Sequence, residues 1–176
     1  DPFRGHWVMS LRGGLPTRKR LYHAAPTFAA AGRWKQGQPA DWLTVDAHDR
    51  PDPVIGYPPQ LYDFNAVAYE SLMLGMFSVF YGPENHVCER TGEVKTIDLH
   101  LGFSRDGYAW TRPEERTPFL ACTRRPGEWN YGYLHAAGGL CCVLRDELRF
   151  YFGAFSGVSS LRPGEHGLSP SQYPMY

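Results

Sequence analysis

Thr96-Ile97-Asp98-Leu99-His100-Leu101-Gly102-Phe103 runs directly into Ser104-Arg105-Asp106-Gly107-Tyr108-Ala109-Trp110. The first stretch alternates strictly: Ile97, Leu99, Leu101 and Phe103 share one face, and Thr96, Asp98, His100 and Gly102 share the other. A period of two is that of a β-strand with one apolar face. Asp106-Gly107 then reads as a tight two-residue turn, because glycine tolerates positive φ and an aspartate side chain bonds the nearby backbone. Ser104 can add a second turn bond, and Trp110 can cover the hairpin from its exit strand.

Working outward, the same grammar recurs. Residues 72–81 and 148–155 are rich in aromatic and aliphatic side chains, and each follows a short polar break, Glu70-Ser71 or Arg145-Asp146-Glu147. Such breaks are hairpin turns between strands. Helical periodicity is nearly absent: residues 24–34 are helix-friendly, but Pro26 and Gly32 interrupt them. Residues 36–60 hold Gly37, Gly56 and the prolines Pro39, Pro51, Pro53, Pro58 and Pro59, a long connection with little room for regular structure. The expected class is all-β.

An acidic or amide residue opens an apolar strand, a turn follows, and an aromatic-rich strand leaves it, in residues 1–11, 63–81 and 130–155. The openings at Asp1, Asp63 and Asn130 are 62 and 67 residues apart. In the first two units a short hairpin closes on a tryptophan, Trp34 and Trp110. Residues 1–176 are thus expected to form a single β domain of about two four-stranded units and part of a third. Repeated antiparallel units of this kind suggest blades of a β-propeller, each ~40–50 residues before insertions. A β-sandwich built from the same hairpins is the alternative.

Composition narrows the functions. The 176 residues carry 18 Lys+Arg and 18 Asp+Glu, a formal net charge of zero, which argues against a nucleic-acid partner bound through phosphate neutralisation and against a charged membrane surface. No stretch of about 18 apolar residues is present to span a bilayer as a helix. Aromatics reach 15%, and 19 Gly with 15 Pro exceed the ~12% of average usage, as hairpins and long connections require. The sequence opens at Asp1-Pro2, which is expected to mark a processed or partial polypeptide. Cys88, Cys122, Cys141 and Cys142 lack CxxC spacing and read as free thiols, with Cys141 and Cys142 on opposite faces of a strand. His86 and Cys88 could share a metal, but no second pair accompanies them, so neither metal nor cofactor is expected.

"LGFSRDGYAWTRP", "ERTPFL", "GEWNYG" and "DELRFYFGAF" resemble the later blades of five-bladed glycosidase propellers, in particular relatives of the invertase-like glycoside hydrolases of family 32, with family 43 as cousin. "DPFRGHWVMSL" and "AYESLMLGMF" are similar to blade-opening segments of that group. The resemblance covers most of residues 1–155. It implies a partial five-bladed propeller that binds or hydrolyses a glycoside, with a carbohydrate as ligand and with the missing blades, or another chain, pairing against its open edges. Such glycosidases place three carboxylates around a central funnel, each from a different blade.

Carried onto this sequence, Asp1-Pro2 resembles the aspartate-proline that opens the second carboxylate-bearing blade, without the arginine that precedes it in the family. Glu70 and Asp63 are the alternatives for the general acid of the next unit. Glu128-Trp129-Asn130 matches a segment in which relatives tend to have aspartate where Asn130 stands; an amide serves as neither acid nor base. The chemistry needs a pair of carboxyl groups, one to protonate the leaving oxygen and one to attack the sugar or activate water. The expected catalytic residues are therefore Asp1, Asp63 and Glu70. Asp98, Trp129 and Asn130 are the expected substrate-binding residues: a polar-face carboxylate, a ring for the C–H face of a sugar, and an amide for its hydroxyls. A noncatalytic carbohydrate-binding or interaction module is the second reading.

Overall fold

The computed structural model describes residues 1–14, 17–31 and 39–154. Trp34, residues 36–38 of the 36–60 connection, and Phe155 with the residues after it lie outside the described residues.

Among the described residues, eight strands form three small antiparallel sheets. In the first, β1 (Trp7–Gly13) pairs with β2 (Lys19–Ala25), and β2 with the short β3 (Ala40–Leu43). The second orders β4 (Gln60–Tyr69), β5 (Leu72–Gly82) and β6 (Thr96–Ser104) as a meander. The third pairs β7 (Leu134–Leu144) with β8 (Glu147–Ala154). Each sheet falls within one of the three expected repeats, but they hold three, three and two strands where four-stranded units are expected, and none is closed among the described residues. Among the described residues two short helices interrupt the strands, α1 (Phe28–Ala31) and α2 (Asn85–Thr91). Of the helix-friendly stretch, Ala24 and Ala25 end β2 and only one turn of helix follows Pro26, with Thr27 Oγ1 accepting the Ala30 N–H at 3.1 Å.

The sheets are stacked, with β5 in the middle. Its sequence, LMLGMFSVFYG, does not alternate because both faces are covered. Leu74 and Met76 pack with Leu99 of β6 against Leu134, Ala136 and Leu140 of β7. On the opposite face Phe77 and Val79 pack with Leu61 and Phe64 of β4, against Trp42, Leu43 and Trp110. Glycine is required at the centre of β5: a Cβ on Gly75 would stand 2.5 Å from the Trp110 ring and 2.7 Å from Phe64.

Two features differ from the alternation expected of β6. His100, assigned to the polar face, is 2% exposed, because β6 too is covered on both sides; its Nε2 lies 3.3 Å from the Tyr81 hydroxyl. Phe103, assigned to the apolar face, is 42% exposed and falls outside the cluster that holds Leu99 and Leu101. The turn after β6 is also longer than two residues. Phe103 and Thr111 exchange backbone bonds at 2.8 and 2.9 Å, and within the enclosed loop Ser104 Oγ accepts the Gly107 N–H at 2.8 Å while Asp106 Oδ1 accepts those of Tyr108 and Ala109, both at 2.8 Å. Farther along, Leu120 pairs with Leu99, so an irregular segment broken by Pro113 and Pro118 covers the outer edge of β6. Trp110 packs against the core cluster and also bonds back to its own loop, its Nε1 donating to the Gly107 carbonyl at 3.4 Å.

Buried charge fastens the connections. The Arg112 guanidinium forks onto the Asp49 carboxylate and lies 4.9 Å above the Phe77 ring, and Arg116 binds Asp46. Together these tie the loop before β4 to the segment after β6.

Candidate functional site

A bulge in β4 builds the site. The ladder to β5 pairs Leu61 with Val79 and then Asp63 with Ser78, leaving Tyr62 as the extra residue. Without the bulge, Leu61 and Phe64 would lie on opposite faces, since they are three apart. With it both enter one apolar cluster, and Asp63 and Asn65 line the gap between the first and second sheets. The gap is a cavity of about 300 Å³ bounded by Val8 and Ser10 of β1, Arg20 of β2, Trp42 of β3, Asp63 and Asn65 of β4, and by Asp1, Gly107 and Trp110.

Asp63 faces the Arg20 guanidinium at 3.5 Å. Arg20 is 7% exposed and also donates to Ser10 Oγ at 2.9 Å, to the Ser10 carbonyl at 2.5 Å and to the Tyr62 carbonyl at 3.2 Å. Burial pulls its pKa below the usual guanidinium value, opposed by Asp63 and reinforced by Arg12. Asn65 Nδ2 donates to Asp63 Oδ2 at 3.3 Å and to the Ala136 carbonyl at 3.1 Å, which anchors the site to β7.

Asp1 enters the cavity from a turn. Its Oδ1 accepts the N–H groups of Phe3 at 2.9 Å and Arg4 at 3.2 Å, and Gly5, at φ 68°, donates its N–H to the Asp1 carbonyl at 3.0 Å. Arg4 locks this turn onto the 104–110 loop through Asp106 at 3.6 Å and the Tyr108 ring at 4.9 Å. The other carboxylate oxygen, Oδ2, is buried without a hydrogen-bond partner and lies against Gly107. An orphaned carboxylate oxygen in a cavity is a costly arrangement that a ligand hydroxyl or a protonated neighbour would relieve.

The aromatic wall is held as firmly. Trp42 Nε1 donates to the Tyr108 carbonyl at 2.7 Å, and its ring meets Phe64 edge-on at 5.2 Å and Tyr22 at 5.1 Å. Trp110 meets Phe64 at 4.8 Å.

Of the residues expected from sequence, Asp1 and Asp63 come together and the others lie elsewhere. Glu70 occupies the exposed β4–β5 turn with φ 50°. Asp98 is half-buried; it accepts the Cys122 N–H at 2.8 Å, and burial raises its pKa despite that bond. Asn130 is 8% exposed and donates its amide to the Ala121 carbonyl at 2.9 Å, fixing the loop before β7. Trp129 is 48% exposed, its ring 5.8 Å from Phe152.

Arg20, Asn65 and Ser10 were not legible as site residues. The one signal was the alternation in Arg18-Lys19-Arg20, which sends Arg18 and Arg20 to the same face. His86 is exposed on α2, and the Cys88 thiol is buried 3.6 Å from the Pro83 carbonyl, its pKa pushed up to about 11 by burial. Among the described residues no three of His, Cys, Asp and Glu gather as a metal set. Compared with protein families, curated proteins and solved structures, the chain matches none of them.

Proposed function

We propose that the cavity between the first two sheets binds a glycoside, with Asp1 and Asp63 as its paired carboxylates, in a segment of a glycosidase-like β-propeller. The observation that carries this reading is the convergence of Asp1, in the turn before β1, and Asp63, 62 residues on in sequence on β4, on one cavity walled by Trp42 and Trp110. Tryptophan rings offer flat apolar surface to the C–H face of a sugar. Ser10 and Asn65 supply hydroxyl and amide partners, and two carboxyl groups are what glycosidic cleavage demands. The stacking of three open antiparallel sheets, with β4 contacting both neighbours, supports the assignment of those sheets to blades.

The test is turnover of a panel of aryl glycosides by the whole chain, beside Asp1→Asn and Asp63→Asn. Loss of at least ~100-fold in kcat/KM in both variants, with melting temperature retained, supports hydrolysis. A noncatalytic carbohydrate-binding module is the second reading. It is favoured by Glu70 lying on an exposed turn and by an amide, Asn130, committed to its own loop. Binding of glycosides without turnover supports that reading, and absence of both binding and turnover refutes the pair.

A further inference from the structure

The face of the first sheet that looks onto β4 carries more positive charge than the neighbouring carboxylates balance. Arg12 of β1 stands directly opposite Arg20 of β2 in the ladder, a like-charge pair that is unfavourable unless something compensates it. The Arg12 guanidinium lies 5.7 Å from the Tyr62 ring centre and that of Arg18 5.5 Å from it, while the Lys95 ammonium lies 5.6 Å from the ring of Tyr133. His135 bridges the two tyrosines, its ring 5.2 Å from Tyr62 and 5.0 Å from Tyr133. Arg12, Arg18, Arg20 and Lys95 thus surround a pair of tyrosines beside the cavity, in a chain whose net charge is zero.

Two of the four cations are committed. Arg18 forks onto Glu84 with both bonds at 2.7 Å, and Arg20 is held by Ser10, Tyr62 and Asp63. Arg12 and Lys95 enter no ion pair among the described residues. Lys95 is only 3% exposed; burial pulls its pKa down, and the charges of Arg18 and Arg12 act in the same direction against Cys88 and Glu84. The carboxylate that acts on Lys95, Glu84, is already forked onto Arg18, so the ammonium shares one anion with a guanidinium, and an incoming anion would improve that balance.

We propose that the ligand is an anionic glycoside whose carboxylate or sulfate ester is held by the Arg12 guanidinium, which lies over Tyr62, and the Lys95 ammonium, which lies over Tyr133. The guanidinium offers a planar fork to either anion, and the ammonium a point charge. Asp63 sets the orientation: it repels a second anion, so the charged substituent lies toward Arg12 and Lys95 and the neutral part of the sugar toward Asp1 and Trp42. This inference rests on the glycoside reading of the cavity.

The test is calorimetric titration of the whole chain, at low ionic strength, with glucose, galactose, glucuronate, galacturonate, glucose 6-sulfate and inorganic sulfate. The expected result is at least ~10-fold tighter binding of an acidic sugar than of its neutral parent, weakened by about 0.5 M salt. Arg12→Gln and Lys95→Met should each remove that advantage; Arg12 is exposed, so its variant keeps the fold even if Lys95→Met does not. Glucuronate against glucose 6-sulfate separates the carboxylate from the sulfate ester. Equal binding of neutral and acidic sugars overturns this inference and leaves the glycoside reading intact. Binding of sulfate but of no sugar, lost in Arg12→Gln, keeps the anion site and removes the glycoside. No binding of any probe overturns both.

Discussion

The Asp63 carboxylate faces the Arg20 guanidinium at 3.5 Å across the gap between two sheets, yet Arg20 makes its shorter bonds elsewhere, to Ser10 and to the Tyr62 carbonyl. The pair is therefore asymmetric. Arg20→Met would leave two backbone carbonyls and a hydroxyl without their buried donor, at a cost of about 2–4 kcal/mol. Asp63→Asn keeps an acceptor facing Arg20 but removes the one carboxylate opposite it, and should cost about 1–2 kcal/mol, less than Arg20→Met. Urea denaturation of both variants checks the order. A larger loss for Asp63→Asn would mean that the carboxylate, rather than the guanidinium, organises the gap.

Gly107 has a φ of 70°, and a Cβ built there stands 2.6 Å from Asp1 Oδ2 and 2.9 Å from Met73 Sδ. Gly107→Ala should cost about 1–3 kcal/mol from the left-handed backbone and the contact together. It should also displace the Asp1 carboxylate from the cavity. A double-mutant cycle with Asp1→Ala separates the two causes: the portion due to the contact disappears in the Asp1→Ala background and the backbone portion persists.

Burial lowers the His100 pKa from 6.5 to about 4, with the Arg112 charge acting the same way. The fold therefore favours neutral imidazole. The associated stability is fully present above pH 6.5 and is lost as pH falls toward 4, by on the order of 3 kcal/mol. His135 is shifted in the same direction, chiefly by burial. Stability measured at intervals from pH 7 to 4 should fall across this window. His100→Gln should flatten the fall without abolishing it; an unchanged slope would show that His100 does not remain neutral in the fold.

Asp98 is the opposite case. Burial raises its pKa, so ionising it at neutral pH costs stability that returns as pH falls below the folded pKa. Asp98→Asn keeps an acceptor for the Cys122 N–H and removes the charge. Its thermal unfolding at pH 7 should occur at the same or a higher temperature, and glycoside binding should be unaffected. A loss of binding in this variant would place Asp98 in the ligand site.

Local chemistry determined a good deal of this protein. The alternation in residues 96–103, the breaks at Glu70-Ser71 and Arg145-Asp146, and the scarcity of helix determined an all-β chain of hairpins, because period-two patterning and turn residues act over a few neighbouring positions. Asp1 and Asp63 could be singled out by residue type and place in a repeated unit. Only the tertiary structure decided that they share a cavity, that Glu70, Asp98, Trp129 and Asn130 lie outside it, and that Arg20 and Asn65 belong to it. The β4 bulge shifts face parity at Tyr62, and stacking on both sides of β5 and β6 buries residues such as His100 that alternation assigns to a polar face. Both effects arise from contacts between segments tens of residues apart, where packing area and unpaired charge outweigh the preference of any single stretch.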